Sequence, residues 1–513
     1  MDTTFLSEYF QTDDNYMTIS CILFLVTLIG IYYQNSRSKH PPVGKPLPML
    51  KGLPIVGFLP YVGEKPPETF AKLAQTLGPV FKVQMGALPC LVLNNFEAVK
   101  EAFIKQSEFY SGRPNEISFK IYDDEPAFIF DDGPTFKDVR YFSMDVLKKL
   151  GFGRLSLEPL VKEEVQFLIN ELRKYKGEAS DCLKLIETSV GSSICSIMNG
   201  KRSNLNDPWL IALIDAVDGL QRTYVHDYGF YFPYMKKIPV INLLTNEKEK
   251  KYWKEEFWRL WREKVHEVIK ETEAGLIPDN FISFWNKEAE ARKAKNDPNL
   301  YLYSETNLVN NLDIFAQAAF ETTSTTIMWA LIYFMKYPET QTKVINEIRS
   351  LGPEKEKNLT FTDAKHLPYT RAFIQELHRC SSIVPLGVFH STSEPSVLMG
   401  YYVPKRILTI ANSYAIHYDP KNFPEPKIFK PERFINEKGE YFRDERIIPF
   451  SIGKRFCPGE YVAQMEIFHY LTMIVCNFEL KLEDEGKDMS ICTENTLIRH
   501  PVPFKMYFIP RKK

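Results

Sequence analysis

The chain lacks a surplus of charge of either sign and a regular arrangement of cysteines. Its 64 Lys and Arg residues balance 65 Asp and Glu residues, which leaves a net charge of -1, and this balance gives no electrostatic case for nucleic-acid binding. The eight cysteines are scattered over 513 residues without the spacing of a disulfide framework, as is typical of a reducing compartment. No C-x-x-C or H-x₃-H pattern lies near Cys457, which excludes a zinc site there.

The sequence also has no G-x-G-x-x-G loop, no internal repeat and no low-complexity tract. The missing glycine-rich loop argues against a dinucleotide-binding unit in the chain. A hydrophobic content of 44% and an aromatic content of 14% are enough for a large buried core. We therefore expect one large domain without a nicotinamide site of its own.

Lys and Arg are absent before Arg37, whereas Asp and Glu occur in the same segment. The uncharged run Tyr16 to Tyr33 would span about 27 Å as a helix, which is enough to cross a thin bilayer. Because basic residues follow this run, the N-terminus is predicted to be luminal and the body cytosolic. A cleavable signal peptide would need a basic first region and a small-residue cleavage site, and a mitochondrial presequence would not be acidic, so both are disfavoured.

Residues 1–39 are thus predicted to form a luminal N-terminus and a single-pass signal anchor, with one transmembrane helix at about 16–33, in the endoplasmic reticulum membrane. Residues 40–513 are predicted to form the body of the protein. Its start is rich in prolines, which cannot continue a helix and favour extended structure. These hinge residues are Pro41, Pro42, Pro46 and Pro48.

The body is predicted to be mainly α-helical with minor β-sheets. The runs Val80 to Met85 and Leu91 to Leu93 predict a hairpin that turns at Gly86 and Ala87. Helical periodicity with charged faces dominates from about residue 137 to 350. Short strand-like runs follow at Val397 to Tyr402, Phe478 to Leu482 and Phe504 to Ile509.

The run Pro449 to Glu460 (PFSIGKRFCPGE) has the residues that a socket for haem iron needs. Cys457 can bind the iron as a thiolate, which pushes electron density onto the metal and favours O–O bond cleavage. Gly453 allows the positive φ of a tight turn under a flat macrocycle, and Gly459 lets the next helix begin close to it. The alternative, a buried structural cysteine in a turn, does not account for these neighbours.

Arg455 and Phe450 complete this motif. Arg455 offers a fork of donors to a haem propionate, and Phe450 supplies an apolar wall. Together, Phe450, Gly453, Arg455, Cys457 and Gly459 form the pattern F-x-x-G-x-R-x-C-x-G, which is similar to the haem-binding signature of the cytochrome P450 family. The resemblance covers the chain from the proline-rich hinge to the C-terminus. It is closest in style to the microsomal clan of vertebrate drug- and steroid-hydroxylating enzymes.

The resemblance implies a cytochrome P450 fold and a haem-thiolate catalytic domain over residues 40–513, with haem b (iron protoporphyrin IX) as cofactor. It implies a membrane-anchored monooxygenase that inserts one atom of O2 into a lipophilic substrate such as a steroid, a fatty acid or a xenobiotic. Electrons would come from NADPH through a separate NADPH-cytochrome P450 reductase, because the chain has no flavin or dinucleotide segment. Cytochrome b5 is a further expected partner.

Several lysines expected on the thiolate side could dock an acidic flavoprotein. They are equally consistent with a solvated face, since lysines are mostly exposed. These residues are Lys137, Lys148, Lys149 and Lys454.

Glu376 and Arg379 are spaced for pairing on one face of a predicted helix. E-x-x-R alone is a weak signal because ion pairs on helix surfaces are common. With Arg433 in the run FKPERF, the three residues resemble the family's Glu-Arg-Arg triad, which is structural and locks the haem-side core. Burial of such charges is tolerated only when all of them are paired.

The run Asp313 to Thr326 (DIFAQAAFETTSTT) is predicted to belong to a long helix across the distal haem face. Glu321 and Thr322 are the expected catalytic acid and alcohol, because reduction of O2 needs protons delivered in a nearly dry pocket. Without the family context, a hydroxyl in a helix more often bonds back to the i−4 carbonyl. Ala319 stands where the family usually has glycine, which leaves a helix kink there in question.

Four basic residues match family positions that commonly hold the haem carboxylates, namely Arg113, Arg140, His390 and Arg455. Each could instead be solvated. Phe136 stands where the family has a tryptophan, and phenylalanine has no N–H to donate. One hydrogen bond to the cofactor is therefore expected to be missing.

The resemblance also implies a substrate pocket with an apolar lining, which suits a lipophilic ligand. The loop 115–132 and the aromatic stretch 224–234 would contribute to it, although the aromatic stretch could equally be core or dip into the membrane. The individual pocket residues are Phe315, Ala318, Val384, Val388 and Ile498.

Two alternatives to the monooxygenase are open at this point. A haem-thiolate isomerase or dehydratase that rearranges a peroxide would need no reductase, and the pair Glu321 and Thr322 speaks against it. A non-catalytic haem carrier or gas sensor would need neither a proton relay nor an open pocket.

Overall fold

The computed structural model describes residues 43–50, 52–114, 128–224, 231–232, 246–484, 492–493 and 497–511. The predicted transmembrane helix at 16–33, most of the loop 115–132 and most of the aromatic stretch 224–234 lie outside the described residues. In the part of the chain that the structure describes, no helix combines the length and the apolar character needed to span a bilayer.

The body is mainly helical, as the periodicity predicts. The first helices are α1 (Leu59–Val62), α2 (Pro66–Leu77), α3 (Phe96–Lys100), α4 (Ser107–Tyr110), α5 (Gly133–Lys149) and α6 (Glu158–Arg173). The central helices are α7 (Leu183–Asn199), α8 (Pro208–Tyr224), α9 (Glu247–Glu273), α10 (Phe281–Ala294) and α11 (Glu305–Lys336). The last helices are α12 (Pro338–Ser350), α13 (Pro353–Lys357), α14 (Pro368–Ser381), α15 (Ser413–His417) and α16 (Glu460–Asn477).

Tighter and wider helical turns connect these elements. A π-helical turn covers Glu101–Lys105. Short 3₁₀ turns cover Leu155–Leu157, Leu300–Tyr303, Phe361–His366, Pro431–Phe434 and Gly453–Arg455.

The main sheet has the strand order β1-β2-β6-β3, formed by β1 (Val80–Met85), β2 (Leu88–Leu93), β3 (His390–Ser391) and β6 (Leu408–Ala411). β1 and β2 form the predicted antiparallel hairpin, which turns at Gly86 (φ 58°) and Ala87. β2 pairs with β6 in parallel, with Cys90 opposite Leu408 and Leu93 opposite Ala411. This long-range pairing joins the two ends of the body.

Three smaller sheets have two strands each. They pair β4 (Ser396–Leu398) with β5 (Tyr401–Val403), β7 (Phe478–Leu482) with β10 (Met506–Pro510), and β8 (Cys492–Thr493) with β9 (His500–Pro501). The described part of the hinge joins the body through single bridges from Lys45 to Tyr401 and from Met49 to Lys82.

The long helix α11 runs through the two largest apolar clusters of the core. Residues from Leu308 to Phe320 pack in one cluster, and residues from Ile327 to Phe334 pack in the other. Between the two lies the polar run 321–326. Hydroxyl groups in this run bond back to carbonyls one turn earlier, which lets polar side chains sit in a buried helix. The polar run is therefore the part of α11 that can serve chemistry.

Candidate active site

The cysteine loop lies between the 3₁₀ turn Gly453–Arg455 and α16. The backbone N–H of Cys457 donates to the carbonyl of Phe450 at 2.9 Å, which closes the loop. Gly453 has a φ of 83°, as its place in the motif indicates, and a Cβ atom there would collide with the carbonyl oxygen of Phe103. Glycine is required here by both conformation and space.

The thiol of Cys457 sits at the start of α16. Burial raises the pKa of Cys457 to about 11, and hydrogen bonds from the backbone N–H groups of Gly459 and Glu460 oppose this rise. N–H groups at a helix start stabilise negative charge. A thiol that stays neutral by itself becomes a thiolate when it binds a metal ion. The loop therefore suits metal ligation better than a free nucleophile.

The surroundings of the sulfur leave space for a flat group. A Cβ atom built on Gly459 would have one neighbour within 4 Å among the described residues, the sulfur of Cys457 at 3.9 Å. The described residues would thus tolerate a side chain at position 459. A group bound at the sulfur would need the space that glycine leaves there. Phe450, the expected apolar wall, packs edge-to-face on His378 with ring centroids 5.3 Å apart.

Arg113 and Arg455 are both buried and share a carbonyl acceptor. The Nε of Arg113 donates to Ile129 at 3.1 Å, and its Nη1 donates to Phe389 at 2.7 Å. Arg455 donates through Nη1 to Ile129 at 3.5 Å and through Nη2 to the carbonyl of Asp131 at 2.7 Å. The two guanidinium groups therefore face the same short segment.

The other two predicted cofactor partners lie in the same region. The Nδ1–H of His390 donates to the carbonyl of Tyr110 at 2.7 Å, and the His390 ring stacks on Phe103 with ring centroids 3.9 Å apart. Arg140 lies near enough to Cys457 for the charge of a thiolate to raise the pKa of Arg140, although burial has the larger, lowering effect. The structure thus brings the four basic residues close to one another.

These basic groups are buried close to one another. Burial lowers the pKa of Arg113 well below its usual range, and Arg455 and Arg140 add to this effect. Burial also lowers the pKa of Arg455 to about 10, and the negative charges of Asp131 and Asp132 oppose this effect. A ligand with two carboxylates, such as haem, would add negative charge beside Arg113 and Arg455, so the donor set fits the propionates.

Glu321 and Thr322 lie in the polar run of α11, which remains α-helical through Ala319. Oε1 of Glu321 lies 2.6 Å from Nε2 of His500, and Oε2 is buried with no hydrogen-bond partner among the residues that the structure describes. Burial raises the pKa of Glu321, and the hydrogen bond from His500 opposes it. The Thr322 hydroxyl donates to the carbonyl of Ala318 at 2.7 Å, which leaves its oxygen free to accept.

The three residues of the predicted triad meet in the structure. Arg379 donates to both carboxylate oxygens of Glu376, at 2.7 and 2.8 Å, and both side chains are fully buried. Arg433 reaches Oε1 of Glu376 at 3.3 Å, and the backbone N–H of Lys430 donates to the same oxygen at 2.8 Å. Arg379 also bonds the carbonyl of His417 at 2.9 Å. The triad therefore ties α14 to the segment that precedes the cysteine loop.

The predicted pocket residues fall into two groups. Phe315 is buried and contacts Phe128 at a centroid distance of 4.6 Å, and Val384 and Ile498 pack in one apolar cluster. Ala318 and Val388 are exposed side chains.

The four lysines predicted for docking are all exposed. Two of them have acidic neighbours within the chain. Lys149 lies 2.7 Å from Asp145, and Lys454 lies 3.1 Å from Glu108. Exposed pairs of this kind are weak, so they leave the lysines available to a partner.

Sequence reasoning did not identify His500 as part of the site. It lies 179 residues after Glu321 in the chain, in a segment with no motif of its own. No periodicity or spacing in the sequence relates the two positions, and only the folding of β9 against α11 brings them together.

A helical body with a cysteine loop and a nearby cluster of cations is the architecture of a haem-thiolate enzyme. The sequence model of the Cytochrome P450 family matches residues 46–508. Cytochrome P450 2E1 of Rattus norvegicus is 32% identical over 506 residues, covering 96% of this chain and 99% of that protein. Cytochrome P450 2C8 of Homo sapiens is 30% identical over 498 residues, covering 96% and 98%. The chain belongs to the cytochrome P450 family and is a P450 monooxygenase, an enzyme class whose cofactor is haem.

Proposed function

We propose that this P450 is a membrane-anchored monooxygenase that inserts one oxygen atom into lipophilic substrates. The observation that carries the proposal is the pair Glu321 and Thr322 on α11. One carboxylate oxygen of Glu321 is buried with no partner in the described part of the chain, and the oxygen of the Thr322 hydroxyl can accept. Such a pair suits proton delivery into a dry pocket. A carrier or an isomerase would not need it.

In this proposal Cys457 would bind the haem iron as a thiolate. Arg113, Arg140, His390 and Arg455 hold the propionates, while Gly453, Gly459 and Phe450 shape the loop and its apolar wall. The haem, when bound, supplies the activation of O2 by two electrons. Glu376, Arg379 and Arg433 have a structural role, which the full burial of Glu376 and Arg379 and the pairing of both arginines with Glu376 support.

The residues of α11 perform the proton transfers. Thr322 accepts a hydrogen bond from a water molecule, and Glu321 passes protons to that water through its free oxygen. Burial favours the neutral form of Glu321, so the residue has a proton to give in the dry pocket. The apolar side chains of Phe315, Ala318 and Val388 would exclude bulk water and contact the substrate, in line with a steroid, a fatty acid or a xenobiotic.

We assign the delivery of electrons to NADPH-cytochrome P450 reductase, with cytochrome b5 as a second donor. The exposed lysines Lys137, Lys148, Lys149 and Lys454 support a docking face for an acidic flavoprotein. Residues 1–39 would hold the protein in the endoplasmic reticulum membrane and residues 40–513 would face the cytosol. The uncharged run 16–33 supports this topology.

The test is reconstitution of the full-length protein in lipid vesicles with the reductase, NADPH and isotopically labelled O2. Candidate substrates are first selected by the change that they cause in the haem spin state. We expect one labelled oxygen atom in an apolar product, and only when reductase and NADPH are present. Product formed without either would indicate an isomerase. Haem binding without product from any compound that changes the spin state would indicate a carrier.

The membrane anchor is tested separately. A variant without residues 1–36 should leave the membrane fraction in large part and keep its haem. Protease added to sealed microsomes should digest the body of the full-length protein. A body protected from the protease would contradict the cytosolic orientation.

A further inference from the structure

His500, on β9, contacts the middle of α11 through both ring nitrogens. Its Nε2 lies 2.6 Å from Oε1 of Glu321, and its Nδ1 lies 3.1 Å from Oγ1 of Thr325. Glu321 and Thr325 are one helical turn apart, on the same face of the helix. The imidazole therefore bridges one turn of α11. Its side chain is 22% exposed and that of Glu321 is 9% exposed.

The two contacts hold the imidazole through both of its ring nitrogens. When Glu321 is ionised, its carboxylate only accepts, so Nε2 of His500 carries a hydrogen. The hydroxyl of Thr325 can donate to Nδ1 or accept from it. Both contacts therefore fix the position of the ring beside Oε1 of Glu321.

The other charged groups that face Glu321 come from α7 and α8. Glu187 on α7 and Asp218 on α8 interact with it through their negative charge. Lys184 pairs with both of these acids and with Asp215, at 3.9 Å from Glu187, 3.0 Å from Asp218 and 2.8 Å from Asp215. Burial raises the pKa of Glu321, contact with His500 lowers it, and Asp218 raises it further. His500 is thus the group in direct contact with Glu321 that lowers its pKa.

We propose that His500 is a positioning residue for proton delivery, an inference that rests on the proposed function of Glu321 and Thr322. It holds Oε1 of Glu321 and so leaves Oε2, which has no partner in the described part of the chain, as the oxygen that exchanges protons. Its positive charge favours the carboxylate and sets the pH range in which Glu321 takes up and releases protons. Loss of that charge moves the range to higher pH.

The experiment compares wild type with His500→Gln, His500→Lys and Glu321→Gln in the full-length, haem-loaded protein. Product formed per NADPH consumed is measured across pH with reductase present. In parallel, the infrared carbonyl band of protonated Glu321, identified by its absence in Glu321→Gln, is titrated in each protein. We expect both profiles to move to higher pH in His500→Gln, which keeps a donor but loses the charge. His500→Lys, which restores a cation, should return them toward wild type.

Wild-type profiles in His500→Gln, together with lost coupling in Glu321→Gln, would overturn the role of His500 and leave the relay standing. Wild-type coupling in Glu321→Gln would overturn the proposed relay itself and this inference with it. If His500→Gln fails to bind haem, Thr325→Val replaces it. That variant removes the contact at Nδ1 and so holds His500 less firmly beside Glu321, and we expect a smaller move of the infrared titration to higher pH. An unmoved titration in Thr325→Val would then overturn the proposal.

Discussion

The ring of Phe136 lies 3.6 Å from the guanidinium carbon of Arg455, measured to the ring centroid, and 5.6 Å from that of Arg140. Phenylalanine cannot donate the N–H of the tryptophan that the family usually has at this position. It offers its face to two cations instead. In this chain the ring of Phe136 therefore helps to hold the two arginines in place.

Phe136→Ala should weaken haem retention. The two cation–π contacts are each worth about 0.5–2 kcal/mol, so we expect haem loss to apomyoglobin to become roughly tenfold faster. Phe136→Trp keeps the aromatic face and adds a donor, and it should retain haem at least as well as wild type. Equal rates of loss in Phe136→Ala and wild type would contradict this role.

Gly453→Ala should prevent accumulation of the haem-loaded protein. A residue with φ of 83° is strained by about 1–3 kcal/mol when it is not glycine, and here the new methyl group also collides with the carbonyl of Phe103. Gly439→Ala is the matched control, because its φ is 78° and its surroundings are empty within 4 Å. Haem content and thermal unfolding are the readouts. Equal losses in the two variants would argue against the contact with Phe103.

Cys457→Ser should abolish the strongly red-shifted Soret band of the reduced CO complex. Serine is a harder and poorer ligand for haem iron than a thiolate. Cys476→Ser, at a partly buried cysteine on α16, should keep the band. Survival of the band in Cys457→Ser would remove the basis for the assigned ligand.

Thr322→Ala should uncouple turnover. NADPH consumption should continue while hydrogen peroxide increases and oxygenated product decreases, because the water that Thr322 holds is no longer placed to deliver the proton. Groups that deliver protons are typically worth about 10²- to 10⁴-fold in rate. Thr326→Ala is the matched control, since its hydroxyl bonds the carbonyl one turn earlier at 2.8 Å in the same way. Similar product-to-NADPH ratios in the two variants would count against the relay.

Protonation of His417 should lower the free energy of unfolding in acid. Its Nε2 accepts from the backbone N–H of Ile448 at 3.1 Å, and burial together with the charge of Arg379 lowers the pKa of His417 to about 3, from 6.5. As pH falls, the unfolded chain takes up a proton on this histidine before the folded protein does. The contribution of neutral His417 to the free energy of unfolding is therefore complete above pH 6.5 and is lost as pH falls toward 3.

The unfolding temperature against pH checks the effect of His417. His417→Gln should be less stable at neutral pH, because the contact with Ile448 is disturbed, but its stability should fall less steeply in acid. His266→Gln, at an exposed histidine beside Glu305, should keep the slope of wild type. Parallel curves for His417→Gln and wild type would show that another group governs the acid response.

The elements with strong local signals could be predicted from the sequence. The hairpin at Gly86 follows from turn chemistry between two apolar runs, and α11 follows from a long apolar stretch with helical spacing. The meeting of Glu376, Arg379 and Arg433 was expected only through the family resemblance, because the third member lies on a different segment.

The parts of the site that could not be predicted from the sequence depend on contacts between distant segments. His500 faces Glu321 because β9 packs against α11, and no local pattern encodes that contact. The acceptors of Arg113 and Arg455 are backbone carbonyls, which every residue has and which therefore leave no mark in the sequence. The Thr322 hydroxyl donates to the carbonyl of Ala318, which is the common arrangement for a helical threonine. Its oxygen can still accept a hydrogen bond from the water in the proposed relay.

The shared carbonyl of Ile129 sets a boundary for chimaeric enzymes. Both Arg113 and Arg455 donate to it, so its position is fixed from two sides. An exchange of segments that ends at residue 127 keeps this common acceptor in its native context. An exchange that continues through Ile129 replaces the residue that positions both arginines. A junction at residue 127 therefore allows the preceding segment to be varied while the shared acceptor of Arg113 and Arg455 is kept.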